Sequence, residues 1–244
     1  MTILLMLGSG PNVVAATSWP REPFDKVVAI NNAWRVRPDW DYLVHPEDLP
    51  ADRLPPDVQP NQSIITAVDY VPAQNALGGF VYAGGTMAFT ASYWALHRLR
   101  PRVIGYLGCD MVYPATGQTH FYGQGTADPL RPDISLRWLE AKSARLLLIA
   151  AAQGCALVNL SQDPSRLVFP RATTADVGIA VPMAAPAIAA ALRAEADLGY
   201  MVPSGRYWLE EDSFDPAEID RIDALWLVAL DESLRSAPLG ETAP

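Results

Sequence analysis

The sequence predicts an α/β fold: an open, mostly parallel sheet with helices on both faces and a C-terminal helical extension. Three observations carry that expectation. Short apolar runs of strand length recur along the first 160 residues and end in small or polar residues. Several are apolar throughout, as strands buried on both faces of a parallel sheet must be. Between and after them lie segments with helical spacing, the alternation that parallel strands and their crossovers require.

The first strand is read at Thr2–Gly8, ending in Gly8-Ser9-Gly10-Pro11. Lys26–Ile30 follows and ends in Asn31-Asn32, then Tyr42–Val44, ending in His45-Pro46-Glu47-Asp48, then the run Ser63–Val68. Phe89, Tyr93, Leu96 and Leu99 recur at helical spacing, so a helix is read over Thr86–Leu99, with Gly84-Gly85 as a turn and Thr86 as N-cap. Arg102–Gly108 is a further strand and delivers Cys109-Asp110 to the sheet edge. Met111–Leu130 has little periodicity, contains His120, Tyr122, Gly123 and Gly125, and is long enough to be a functional loop. A helix over Asp133–Gln153, capped by Asp133 and stopped by Gly154, leads into the strand Cys155–Leu160. The order gives a Rossmann-like nucleotide-binding domain over residues 1–172. Residues 173–244 form a helical extension with helices at Pro186–Leu198 and Pro216–Leu234, serving as a lid, a packing arm or an oligomer contact.

Composition narrows the function. The chain of 244 residues carries a formal charge of -9. Residues 1–200 hold 15 basic and 17 acidic side chains, a balance of -2, whereas residues 201–244 hold 3 and 10, a balance of -7. Without a basic run, nothing would neutralise a phosphate backbone, so nucleic acid is not the expected partner. No stretch of about 18 apolar residues could span a bilayer, and Thr2–Leu7 runs straight into Gly-Ser-Gly without a cleavage site, so a cytoplasmic location is expected. Cys109 and Cys155 fall in or beside buried strands, where a thiol acts as a small apolar group.

In an open α/β sheet ligands bind at the carboxyl ends of the strands, which makes the strand endings the candidate site. Gly8, Ser9 and Gly10 let a backbone approach a ligand and turn amide N–H groups toward a phosphate. Asn31 or Asn32 could hold a base or ribose, or cap the following turn. Asp110, after a very apolar strand, needs hydrogen-bond donors or a cation. Of the three histidines, His120 is the base candidate, with Tyr122 beside it to steady developing charge. His97 suits the C-terminal end of its helix, and His45 with Glu47 and Asp48 has no diagnostic metal spacing.

Taken in order, Gly8-Ser9-Gly10-Pro11, Ala29–Asn32, Thr86 opening a helix, Ile104–Asp110 and His120–Gly123 resemble the bacterial CMP-sialic acid-dependent sialyltransferases. That superfamily also holds motility-associated flagellin-glycosylation proteins and hydroxymethylpterin pyrophosphokinases. The resemblance covers roughly residues 2–172. It implies that Gly8, Ser9 and Gly10 contact the nucleotide phosphate or ribose, that Asn31 or Asn32 holds the nucleotide, and that Thr86 stands near the phosphate. It also implies that His120 and Tyr122 serve transfer of a sugar from a CMP-type donor to a glycan or small-molecule acceptor, without a metal. Two positions depart from the family: Gly84-Gly85-Thr86 replaces a Ser-Gly pair, and Gln124 stands where the family's general-base histidine falls. In the pyrophosphokinase alternative Asp110 would help hold Mg²⁺ between phosphates. A third reading is a catalytically silent module whose acidic tail binds a protein, with Trp208 or the Trp226 face as its surface.

Overall fold

The computed structural model describes residues 2–114, 116–124, 131–185 and 188–236. Gly125 and Leu130 of the long loop, and Pro186 at the expected start of the Ala-rich helix, lie outside them. Six strands, β1 (Ile3–Leu7), β2 (Lys26–Ile30), β3 (Tyr42–Val44), β4 (Ser63–Ile65), β5 (Val103–Leu107) and β6 (Ala156–Asn159), form one sheet in the order β4-β3-β2-β1-β5-β6. Every pairing is parallel. This is a Rossmann-like α/β fold, and the strand endings read from the sequence all lie on one edge.

The two faces of the sheet are covered differently. Leu4, Met6, Val28, Ile104 and Tyr106 point into a core built with α1 (Ala67–Asn75), α2 (Phe80–Ala83), α3 (Met87–Leu99), α4 (Leu139–Ala152), α5 (Ile188–Leu198) and α6 (Pro216–Ser236). Leu5, Leu7, Val27, Ala29 and Leu43 alternate with them and face Val13, Ala16, Ala33, Val36, Trp40 and Val177. Those partners sit on or beside short 3-10 helices, Pro11–Ser18, Asn31–Arg35 and Val177–Ile179. The second face therefore carries 3-10 turns where a doubly wound fold usually carries α-helices.

Two expected elements change. The run Ser63–Val68 is not all strand: β4 ends at Ile65 and α1 starts at Ala67, because the Asp69 carboxylate accepts from the Thr66 N–H at 3.0 Å and caps a helix there. Val68 is left 82% exposed. The helix over Asp133–Gln153 is two pieces, a 3-10 turn Ile134–Leu136 and α4, separated by Arg137 and by Trp138, whose backbone is not helical. Asp133 still caps, accepting from Ser135 N at 2.8 Å. Thr86 caps α3 as expected, accepting from Phe89 N at 3.2 Å.

The extension packs into the same core as the sheet. Trp226 of α6 is fully buried and donates from Nε1 to Glu195 at 2.7 Å. Glu195 of α5 in turn holds Arg145 of α4 through two contacts of 2.8 Å. Lys142 of α4 meets Asp223 of α6 at 2.7 Å with both side chains out of solvent. Among the described residues no helix is long and apolar enough to cross a membrane.

Candidate functional site

The strand order reverses direction at β1, which has β2 on one side and β5 on the other. Ligand crevices open at such a switch point, and a cleft of about 1010 Å³ lies over this edge. Gly8, Ser9, Asn31, Asn32, Thr86, His120 and Tyr122 all line it. Gly10 and Asp110 do not.

The glycine turn after β1 behaves differently from expectation. Gly8 N donates to Leu107 O and Gly10 N to Gly108 O, each at 2.8 Å. A Cβ on Gly8 would collide with the Gly108 carbonyl, so two backbones touch where β1 and β5 end. The amides of Gly8 and Gly10 are thus turned to β5 and not to a phosphate. Their contribution is a closed floor at the switch point.

Outward-facing amides come from α3. Met87 and Ala88 line the cleft at its first turn. The first N–H groups of a helix have no intrahelical acceptor, and these two have none elsewhere among the described residues. Together with the helix dipole they favour an anion. Gly85 N donates to Ser135 Oγ at 2.9 Å and fixes the approach to this end.

Asn31 and Asn32 stand at the end of β2, where Asn31 takes a left-handed φ of 54° that asparagine tolerates better than most residues. Asn32 is 2% exposed, and the carboxamide oxygens of both residues are buried without a partner. A buried polar atom of this kind is costly unless something bonds to it.

His120 belongs to a loop held over β1. Phe121 N donates to Ser9 O at 3.1 Å, and His120 and Gly123 exchange two backbone hydrogen bonds of 3.0 Å. His120 is 8% exposed, and its imidazole has Thr119 Oγ1 at 2.9 Å from Nδ1. Tyr122 stacks on it at 5.0 Å and 26°, with Tyr113 at 5.7 Å on the other contact. The other histidines stay out of the cleft: His45 engages Pro46 O at 2.8 Å, and His97 is exposed on α3. Gln124 does not line the cleft either.

Asp110 is drawn elsewhere. Its carboxylate accepts from Asn12 Nδ2 at 2.8 Å and from Asn159 Nδ2 at 3.1 Å, and its carbonyl accepts from Arg166 N. Asn12 also reaches Ser161 and Asp163. The donors that a buried carboxylate requires are supplied by neighbouring strand ends, so Asp110 ties β1, β5 and β6 together and is not positioned as a catalytic group. Burial raises the thiol pKa of the adjacent Cys109, and that of Cys155 to about 12, so both remain protonated apolar groups.

The opposite wall was not anticipated. Residues 203–208, Phe80, Tyr70, Glu47, Asp48, Arg53, Arg131 and Asp133 complete the cleft. Asp133 accepts from Ser135, Tyr207 and Arg131 at 2.6–3.0 Å. Burial works against its ionised form, yet these donors outweigh burial and lower its pKa, while burial pushes the Tyr207 phenol up to about 12. The sequence marks Asp133 as a cap, Glu47 and Asp48 as neighbours of His45 and Trp208 as a surface residue, but not their meeting in one wall, because Tyr207 lies 74 residues beyond Asp133.

Among the described residues no lysine lines the cleft, since Lys26 pairs with Asp41 and Lys142 with Asp223; Arg53, Arg131 and Arg206 line it. Among the described residues no group of three or more His, Cys, Asp or Glu side chains could hold a metal ion. An all-parallel sheet with its cleft at the switch point defines an α/β protein of nucleotide-binding-like architecture. No protein-family model matches the chain, and comparison with curated proteins and with solved structures finds no significant match.

Proposed function

We propose that the protein is a nucleotide-dependent transferase, a glycosyltransferase that moves a sugar from a CMP-type donor to an acceptor hydroxyl. The observation that carries this reading is the convergence, in one cleft, of His120 over Ser9, the α3 amides of Met87 and Ala88, and the unpartnered carboxamide oxygen of Asn32. The α3 terminus receives the phosphate, and the asparagines hold the nucleoside. His120, oriented by Thr119 on Nδ1, takes the proton of the acceptor hydroxyl. The acceptor oxygen bonds to the anomeric carbon from the face opposite the phosphate. The bond from that carbon to the phosphate oxygen breaks, its electron pair leaves on the phosphate, and the α3 amides stabilise the charge. Tyr122, packed on the imidazole, limits its orientation and offers a phenol to the same space.

Three arginines and no lysine suit a donor of low charge better than a nucleoside triphosphate. The pyrophosphokinase alternative also needs Asp110 in the cleft, and its carboxylate is committed to Asn12 and Asn159. Asp133, a carboxylate that does line the cleft, is saturated by donors from Ser135 and Tyr207.

Calorimetric titration with CMP, CDP, UDP, GDP and ATP, each with and without Mg²⁺, tests the reading. Binding of CMP without a metal requirement is expected, whereas Mg²⁺-dependent binding of ATP alone would transfer the weight to phosphoryl chemistry. His120→Ala is expected to keep CMP affinity within about threefold while slowing CMP release from CMP-sialic acid at least 100-fold. Unchanged turnover in that variant removes His120 from the mechanism.

A further inference from the structure

We propose that the end of the cleft nearest β3 is a nucleobase subsite, in which Trp208 stacks on the base and Glu47 with Asp48 accepts hydrogen bonds from its exocyclic amino group. The inference rests on the reading of the cleft as a nucleotide site, and adds where the base lies and which bases fit.

The strand order sets the direction of the ligand. Along the carboxyl edge β5, β1, β2 and β3 follow one another. His120 hangs over the end of β1 through the Phe121–Ser9 hydrogen bond. A sugar undergoing transfer must lie beside His120, so with its phosphate on the α3 amides a nucleotide extends its base the other way, past Asn31 and Asn32 toward β3. Asn32, buried with an unpartnered carboxamide oxygen, stands on that path. Glu47 and Asp48 come just after β3, and Arg206 reaches Glu47 at 3.5 Å, which ties the segment to this end two residues before Trp208, itself part of the cleft lining.

The chemistry there fits an amino-bearing base. Trp208 is 57% exposed in the cleft lining, an indole that meets Tyr207 edge-on at 5.5 Å and 79°. A flat base laid on it removes apolar surface from water, and such stacking is tolerant of base identity. Selectivity then comes from the carboxylates, which at neutral pH only accept hydrogen bonds. The amino group of cytosine or adenine donates to them, whereas the carbonyl that uracil presents at the same place is repelled. Both acids line the cleft beside Tyr70, whose phenol burial pushes up to about 12 with a smaller push from their charge. Their charge also keeps the phosphate at the α3 end.

The test is calorimetric titration of the full chain with CMP and UMP, in the wild type, Trp208→Ala, the double variant Glu47→Gln/Asp48→Asn, and Tyr122→Ala. Wild type is expected to prefer CMP. Trp208→Ala should weaken CMP roughly tenfold, and the double variant should erase the preference over UMP, because an amide can donate as well as accept. CMP affinity unchanged in Trp208→Ala but lost in Tyr122→Ala would put the base at the β5 end and overturn this inference while leaving the nucleotide reading intact. Absence of CMP and UMP binding in the wild type would overturn both.

Discussion

The two faces of the sheet solve one problem in different ways. On the helical face, α4, α5 and α6 bury charged side chains as well as apolar ones: Arg145 is held by Glu195, by the Tyr93 hydroxyl at 2.7 Å and by Leu77 O at 2.7 Å. On the other face short 3-10 helices lie over the strands, and Arg37 joins two of them by donating to Ala16 O and Trp19 O. One face is a thick layer whose polar groups are locked by several partners. The other is a thin layer, where Arg37 is itself buried but pairs outward with the part-exposed Asp39. The same strands serve both, so the difference comes from the connections. Between β2 and β3 only residues 31–41 intervene, near the shortest crossover that parallel strands allow, and a 3-10 turn is what fits.

The largest effect should follow from breaking the thick face. Glu195→Ala strands the Arg145 guanidinium in the core and removes the acceptor of Trp226, so a loss of about 3–5 kcal/mol is expected in urea denaturation. A loss below about 1 kcal/mol would mean that water reaches Arg145. A sharper comparison uses neighbours on β2. Val27 and Val28 are both fully buried, on opposite faces. Val28→Ala is expected to cost about 2–3 kcal/mol and Val27→Ala about 1–2 kcal/mol, because a thin layer can collapse onto the lost methyls and a helical layer cannot. Equal costs would erase the mechanical distinction between the faces.

The smallest effect is a pH effect confined to the thin face. The Arg37 guanidinium holds the Asp39 carboxyl at about 2, below its ordinary 3.8. A carboxyl lowered on folding contributes stability above its unfolded pKa and loses it as pH falls toward the folded one. Acid between about pH 4 and 2 should therefore loosen Pro11–Ser18 and Asn31–Arg35, seen as faster amide exchange. The side chain is 41% exposed, so the change should stay under about 1 kcal/mol, and Asp39→Asn should abolish its pH dependence.

What could be read from the sequence follows the same division. The strands were legible because a two-faced core leaves them apolar throughout, and the cleft residues Ser9, Asn31, Asn32 and Thr86 because strand ends and a helix cap place them without knowledge of packing; His120 stood out by its chemistry in the long loop after β5. Helix α1 was hidden by the apolar continuity of Ser63–Val68, where a cap formed by Asp69 overrides the run. The commitment of Asp110 to Asn12 and Asn159, and the wall formed by residues 203–208, depend on partners about 50 to 160 residues apart. Local pattern holds no trace of such pairings.

The bond from Phe121 N to Ser9 O and the contact between Gly8 and Gly108 are made by main chain. A tether without side chains survives exchange of the residues that flank it, and only proline at 121 or bulk at the glycines would sever it. His120 is thus held by a feature that drift can scarcely reach, so the rest of the loop is free to diverge while its imidazole stays put.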